Sequence, residues 1–182
     1  MKKWILTLMA IVLTMGAAQA ESTQVPEVHT RMIIKGMEST AYETLYSSQY
    51  GYTIWMDDRM KPRDDVDSGY DYFYVPTDDG APTVSMYIVD SEVPIEEADA
   101  FILEATATYP QENVGEVKHV ILESGLEYFS QDAVEEGAVY RFYAVKGPEY
   151  LLCITGIFPE EDVDGYGERF DQMVQSIEFA EK

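Results

Sequence analysis

The chain is poor in the residues that most often do chemistry. It has one cysteine, two histidines and 12 Lys plus Arg set against 34 Asp plus Glu. A lone Cys153 closes no intramolecular disulfide, so the fold must hold by packing alone. Cys153 stands in "YLLCITGIF", an apolar run with no base beside it. That context reads as a buried structural thiol and not as a nucleophile. His29 and His119 are too few for a zinc site, which takes several nitrogen or sulfur ligands at set spacing. The shortage of cations leaves a formal net charge of −22, which repels nucleic acid and anionic lipid. No G-x-S-x-G, H-E-x-x-H, phosphate-binding glycine loop or dinucleotide fingerprint occurs, so no cofactor is expected. A Ser–His–carboxylate triad assembled in space stays open, because triads are defined by geometry and not by order; His119 is the histidine it would need.

Long apolar runs are scarce as well. The longest lies within "MKKWILTLMAIVLTMGAAQA", where Lys2 and Lys3 precede an apolar stretch from Trp4 to Met15, and Ala18 and Ala20 form an A-x-A end. A membrane-spanning helix needs roughly 20 apolar residues. The expectation is therefore a signal peptide over residues 1–20, with Glu21 as the new N-terminus and no membrane attachment after cleavage. The mature chain belongs outside the cytoplasm, periplasmic or secreted; the compact, two-lysine leader favours the periplasm. Residues 21–30, "ESTQVPEVHT", lack periodicity and read as a flexible lead-in, which leaves 31–182 as a single domain.

What is abundant is strand. "RMIIKGM", "AYETLYSS", "YGYTIWM", "YDYFYVP" and "TVSMYIV" are rich in β-branched or aromatic residues and bounded by turn formers. The charged stretch 57–69, "DDRMKPRDDVDSG", reads as the longest exposed loop. After Ser91 the period changes: Ile95, Ala98, Ile102, Ala105 and Tyr109 share one helical face between Pro94 and Pro110. "VKHVIL", "LEYFSQ", "AVYRFYAVK" and "YLLCITGIF" then form an antiparallel meander with turns at Ser124-Gly125 and Gly147-Pro148. The last of them is apolar on both faces, as a central strand covered on both sides must be. Phe170, Met173, Val174 and Ile177 form the stripe of a second helix.

This order, with "YSSQYGYTIWM" early, a helix in the middle, a meander, and an ending of apolar strand, acidic turn and "ERFDQMVQSIEF", resembles the PsbP-like fold over residues 42–179. Members include an extrinsic photosystem II subunit, a nuclear import factor that binds the GTPase Ran, and many exported bacterial proteins of unknown function. Members usually continue the first motif with Pro closely followed by Trp; here Trp55 comes earlier and Pro62 later. The resemblance implies an α+β protein, an antiparallel sheet sandwiched by helices, and no shared catalytic residues.

Two constellations stand out. In "EEDVDGYGERFD", Glu160, Asp162, Asp164 and Asp171 fall near the first, third, fifth and twelfth positions of a calcium loop. An apolar strand, not a helix, precedes them, and the first and twelfth residues are of the wrong type. The competing account has Asp162 or Asp164 capping the second helix. A second acidic group, Asp64, Asp65, Asp67 and Asp71, reads as a solvated loop. The other constellation is aromatic: "YDYFYVP" puts Tyr70, Tyr72 and Tyr74 on one face of its strand and Phe73 on the other. Tyrosines on a sheet face either pack as core or meet a protein or polysaccharide partner. The function expected is that of an exported, non-catalytic binding module whose surface is the Tyr70–Tyr74 strand and its neighbouring loop. Alternatives are a calcium-stabilised envelope protein and a weak hydrolase of envelope polymers.

Overall fold

A computed structural model describes residues 27–34, 37–63, 69–78 and 82–180. Residues 1–26, which hold the expected signal peptide and part of the expected lead-in, and Asp64, Asp65 and Asp67 lie outside the described residues. Two antiparallel sheets and two helices make an α+β protein. The smaller sheet runs β1 (Glu27–Ile34), β2 (Met37–Ser47), β3 (Tyr52–Asp57) and, closing it, β11 (Glu178–Phe179). β1 begins inside the stretch read as lead-in, because its backbone pairs with β2 from Glu27 onward.

The larger sheet has seven strands in the order β4 (Lys61–Pro62), β5 (Asp71–Tyr74), β6 (Ser85–Ser91), β10 (Leu151–Pro159), β9 (Ala138–Lys146), β8 (Glu127–Glu135) and β7 (Lys118–Ile121). The last four are the expected meander, with β10 carried to the middle of the sheet by its pairing to β6. The β8–β9 turn, unmarked in the sequence reading, is the pair Glu136-Gly137 with φ of 52° and 79°. Both angles are positive, as a two-residue type I′ hairpin requires.

β10 is covered on both sides. Leu152, Ile154 and Phe158 face an inner core with Phe73, Met86, Ile88, Tyr128, Tyr143 and Val145, closed by Tyr52, Ile54 and Met56 from β3. The helix α2 (Glu168–Gln175) joins that core through Phe170, Met173 and Val174, and Ile177 follows them, which is the predicted stripe. On the outer face Leu151, Cys153 and Ala144 lie under α1 (Ala98–Thr106), against Ala98 and Ile102. Cys153 is buried, and burial pushes its thiol up to about 11, so it is the inert thiol expected. Among the described residues no helix is long and apolar enough to cross a membrane.

The stretch 57–69 is not simply loop. Asp57 ends β3 and is buried, Met60 enters the core, and Lys61–Pro62 pair with Tyr74 and Phe73 of β5. Its charge pattern hid this because Asp57 and Met60, the buried residues among those described in the stretch, stand beside charged neighbours.

Candidate binding face

Alternation along each strand decides which side chains leave the core. On β5, Phe73 is 1% exposed and packs inward, which sends Tyr72 and Tyr74 to the outer face. The register then lays two rows across four strands: Tyr72, Tyr87, Thr155 and Phe142 in one, and Tyr74, Ser85, Ile157 and Tyr140 in the next. α1 covers the β8, β9 and β10 side of this face through Gln131, Ala144 and Cys153. No described element covers the rows on β5 and β6.

The rings lean on one another. Tyr72 lies 5.8 Å from Tyr74, near-parallel at 13°, and 4.5 Å from Tyr87; Tyr70 lies 5.7 Å from Tyr87. Tyr109, on the chain leaving α1, packs 5.6 Å from Tyr140 and 6.1 Å from Phe142. Arg63, beyond β4, places its guanidinium 6.0 Å from the Tyr72 ring centre. Burial, then Tyr72, pushes the Tyr87 hydroxyl up to about 12, so it stays a neutral donor and acceptor.

The sequence-predicted Tyr70, Tyr72 and Tyr74 are thus brought together, but unequally. Tyr72 is 8% exposed, a buried support, while Tyr70, Tyr74 and Tyr87 are half-buried. Tyr87, Tyr109, Tyr140 and Phe142 complete the face. Tyr140 and Phe142 share parity along β9; that they meet the β5 tyrosines follows only from the β6–β10 pairing.

The acidic turn does not gather its oxygens. Glu160–Asp162 form a 3₁₀ turn and Val163–Gly167 a wider π turn leading into α2, and neither Asp162 nor Asp164 caps a helix. This corrects the capping expectation: the tandem short turns aim these exposed side chains at water, so solvation replaces the cap. Asp171 points elsewhere, accepting from Tyr143 Oη at 2.7 Å and Arg141 Nη1 at 3.1 Å. Among the described residues no group of three or more His, Cys, Asp or Glu side chains stands at metal-binding geometry. His119 lies on the edge strand β7, stacked 4.3 Å from Phe129, with Nε2 3.0 Å from Glu127. Glu127 is shared with Lys146, whose hydrogen bond, ahead of that of His119, holds the carboxyl below its usual range. The second group on this carboxylate is therefore an ammonium and not a nucleophilic hydroxyl.

No family model and no curated protein matches the sequence. Solved structures do. The solution structure of cyanobacterial PsbP (CyanoP) from Synechocystis sp. PCC 6803 superposes with a TM-score of 0.53 at 13% identity, covering 76% of this chain and 93% of that one. The fold is PsbP-like. A protein of unknown function from Pseudomonas aeruginosa, PA94, is also similar, at 16% identity over 77% of this chain and 99% of that one, with a TM-score of 0.48.

Within this PsbP-like scaffold, acids that read as solvated are buried and partnered. Asp57 accepts from Arg59 Nε at 2.8 Å and Nη2 at 2.7 Å, from the Arg59 backbone N–H at 3.0 Å, and from Arg169 Nη1 at 2.7 Å. Burial works to raise its carboxyl, but the Arg59 hydrogen bonds and the charges of Arg59 and Arg169 outweigh it and hold it below the usual range. Asp71 is 7% exposed, and accepts from Tyr46 Oη at 2.9 Å, Ser48 Oγ at 2.5 Å and Tyr52 Oη. These bonds tie β5 to β2, β3 and the turn after β2. Arg141 is 5% exposed, and binds Asp132 through Nε at 2.6 Å and Nη2 at 2.8 Å, and the Gly167 carbonyl through Nη1 at 2.8 Å. All three clusters join sheet to sheet or sheet to helix.

Proposed function

We propose that this protein is an exported, non-catalytic interaction module that holds a protein or polysaccharide partner on the tyrosine face of its larger sheet. The observation that carries this reading is the set of rows on β5, β6, β10 and β9, which places Tyr70, Tyr74, Tyr87 and Tyr140 half-buried on one sheet face, with no described element over its β5 and β6 side. Aromatic side chains fixed by one another give large contact area at low entropic cost, which is why tyrosine is enriched in recognition surfaces. Asp57 and Asp71 support the same reading, since each is held by structural partners. The Sec-type leader at residues 1–20 supports export.

A photo-crosslinking phenylalanine analogue introduced at position 74 tests this in the native envelope, with position 96, exposed ahead of α1, as the reference. The expected outcome is an adduct from 74 that is missing from 96. No adduct from 74, 87 or 140 in a protein that melts like the wild type would remove the face from function.

A further inference from the structure

The tyrosine face is bounded by opposite charges at its two ends. At the β5 end Arg63 sits over Tyr72. At the β9 end the surface turns acidic. Glu135 closes β8, Glu136 occupies the hairpin turn, and the Glu160 N–H donates to the Gly137 carbonyl at 2.9 Å, which draws Glu160 and Glu161 beside that turn. All four glutamates are exposed, and among the described residues none is paired with a cation. Glu135 lies close enough to Tyr109 that, after burial and Tyr140, its charge helps raise the Tyr109 hydroxyl above its ordinary value. The aromatic floor therefore runs without a break into the carboxylate rim.

Cations of the chain already meet ring faces, one of them on this floor. Besides Arg63 over Tyr72, Arg59 stands 5.0 Å from the Tyr166 ring, Arg141 5.5 Å from Phe158 and Lys146 5.4 Å from Phe129. Four of the chain's few cations thus lie over ring faces. From β5 to β9 the floor crosses three strand spacings, about 14 Å, which about four residues of extended polypeptide cover. A neutral glycan would use the rings and could donate hydroxyls to the glutamates, but would leave their charge unmatched; an anionic one would be repelled by them. A cationic segment uses both.

We infer that this face docks an extended, Arg- or Lys-bearing segment of another polypeptide, with its cations over Tyr74, Tyr140 and Tyr109 and against Glu135, Glu136, Glu160 and Glu161. The inference rests on the tyrosine face being the binding surface and adds the chemistry of the partner. Cation–π and ion-pair contacts on one surface reinforce each other, because the ring excludes water from the pair beside it.

The test is fluorescence anisotropy of the purified protein with a short labelled peptide alternating Arg and Thr, against the same peptide with citrulline for Arg. The Arg peptide binds and the citrulline peptide does not. The pair Tyr74→Leu with Tyr140→Leu, which leaves net charge unchanged, weakens binding about tenfold; Glu135→Gln with Glu136→Gln does the same. Glu96→Gln with Glu97→Gln, equal in charge but remote from the face, stays within about twofold. Should the tyrosine pair melt early, Tyr109→Leu, outside the strands, is read in its place. Equal weakening by the Glu96 and Glu97 pair would reduce the effect to diffuse attraction and overturn the inference, as would indifference to the tyrosines or no binding at all. Sedimentation showing a dimer that the tyrosine pair abolishes, and that the peptide does not displace, would assign the face to a second copy of the chain. An adduct from position 74 with no peptide binding retires the cationic partner alone; no adduct at all retires the face.

Discussion

Asp57 and Asp58 are adjacent in sequence, yet the first is 2% exposed and held by two arginines while the second sits in the turn. Arg59, two positions on, is a local partner of Asp57, but the second arginine, Arg169, lies more than a hundred positions away in the chain. The same holds for Asp71, whose hydroxyl partners come from β2, β3 and the turn between them. Buried acids of this kind are illegible in a sequence where acids abound. They have a measurable consequence. A carboxyl held low in the folded protein stabilises it fully above the unfolded value near 3.9, and the contribution fades as pH falls through the depressed folded value. Asp57→Asn is expected to cost about 3–5 kcal/mol at pH 7, because both arginines lose their counter-charge in a partly desolvated place. The gap between wild type and variant should close below about pH 4. Urea titrations across pH check this; a gap that persists unchanged to strong acid would show that charge is not what Asp57 contributes.

Among the elements, α2 is where packing leaves least room. Gly156, in the middle of β10, lets the ring of Phe170 lie on the strand: a Cβ there would come within 2.3 Å of Cδ2 and 2.6 Å of Cε2. Phe170 in turn meets Phe158 edge-on at 5.4 Å. The helix stripe was readable from its period, and the apolar strand from its composition. Their point of closest approach was not, because a glycine in a strand announces only that something comes near. Gly156→Ala is expected to lower stability by about 1–3 kcal/mol through overpacking. Combining it with Phe170→Leu should cost less than the two losses added, since the smaller side chain vacates the space. Additive losses in a denaturant double-mutant cycle would place the strain elsewhere.

At the scale of the whole molecule the dominant fact is charge: −22 in 182 residues. Self-repulsion of this size is relieved by any salt, so sodium, magnesium and calcium chlorides at equal ionic strength should raise the melting temperature alike. With Asp171 committed to Arg141 and Tyr143, and Asp162 and Asp164 exposed, the turn at 160–171 gives calcium no assembled set of oxygens. Stabilisation by calcium alone, at millimolar levels where magnesium does nothing, would reinstate that turn as a metal site. The edge strand β7 is also read best at this scale: it ends the sheet with Ile121 66% exposed, and Lys118 carries the charge that discourages pairing with another edge.

The sequence by itself determined most of the longer strands, the existence of both helices and the stripe of the second, the meander, the inert thiol and the PsbP-like order of elements. Each of these is written in local period or composition, where a few neighbouring residues carry the whole signal. Only the tertiary structure decided that β6 pairs with β10, and the proposed binding face follows from that pairing. It joins the tyrosines of β5 to the aromatics of β9 in one face and sets the glutamates of the β8–β9 turn at its end. Long-range register is fixed by how two sheets and two helices bury their apolar sides together, which no short stretch of chain records.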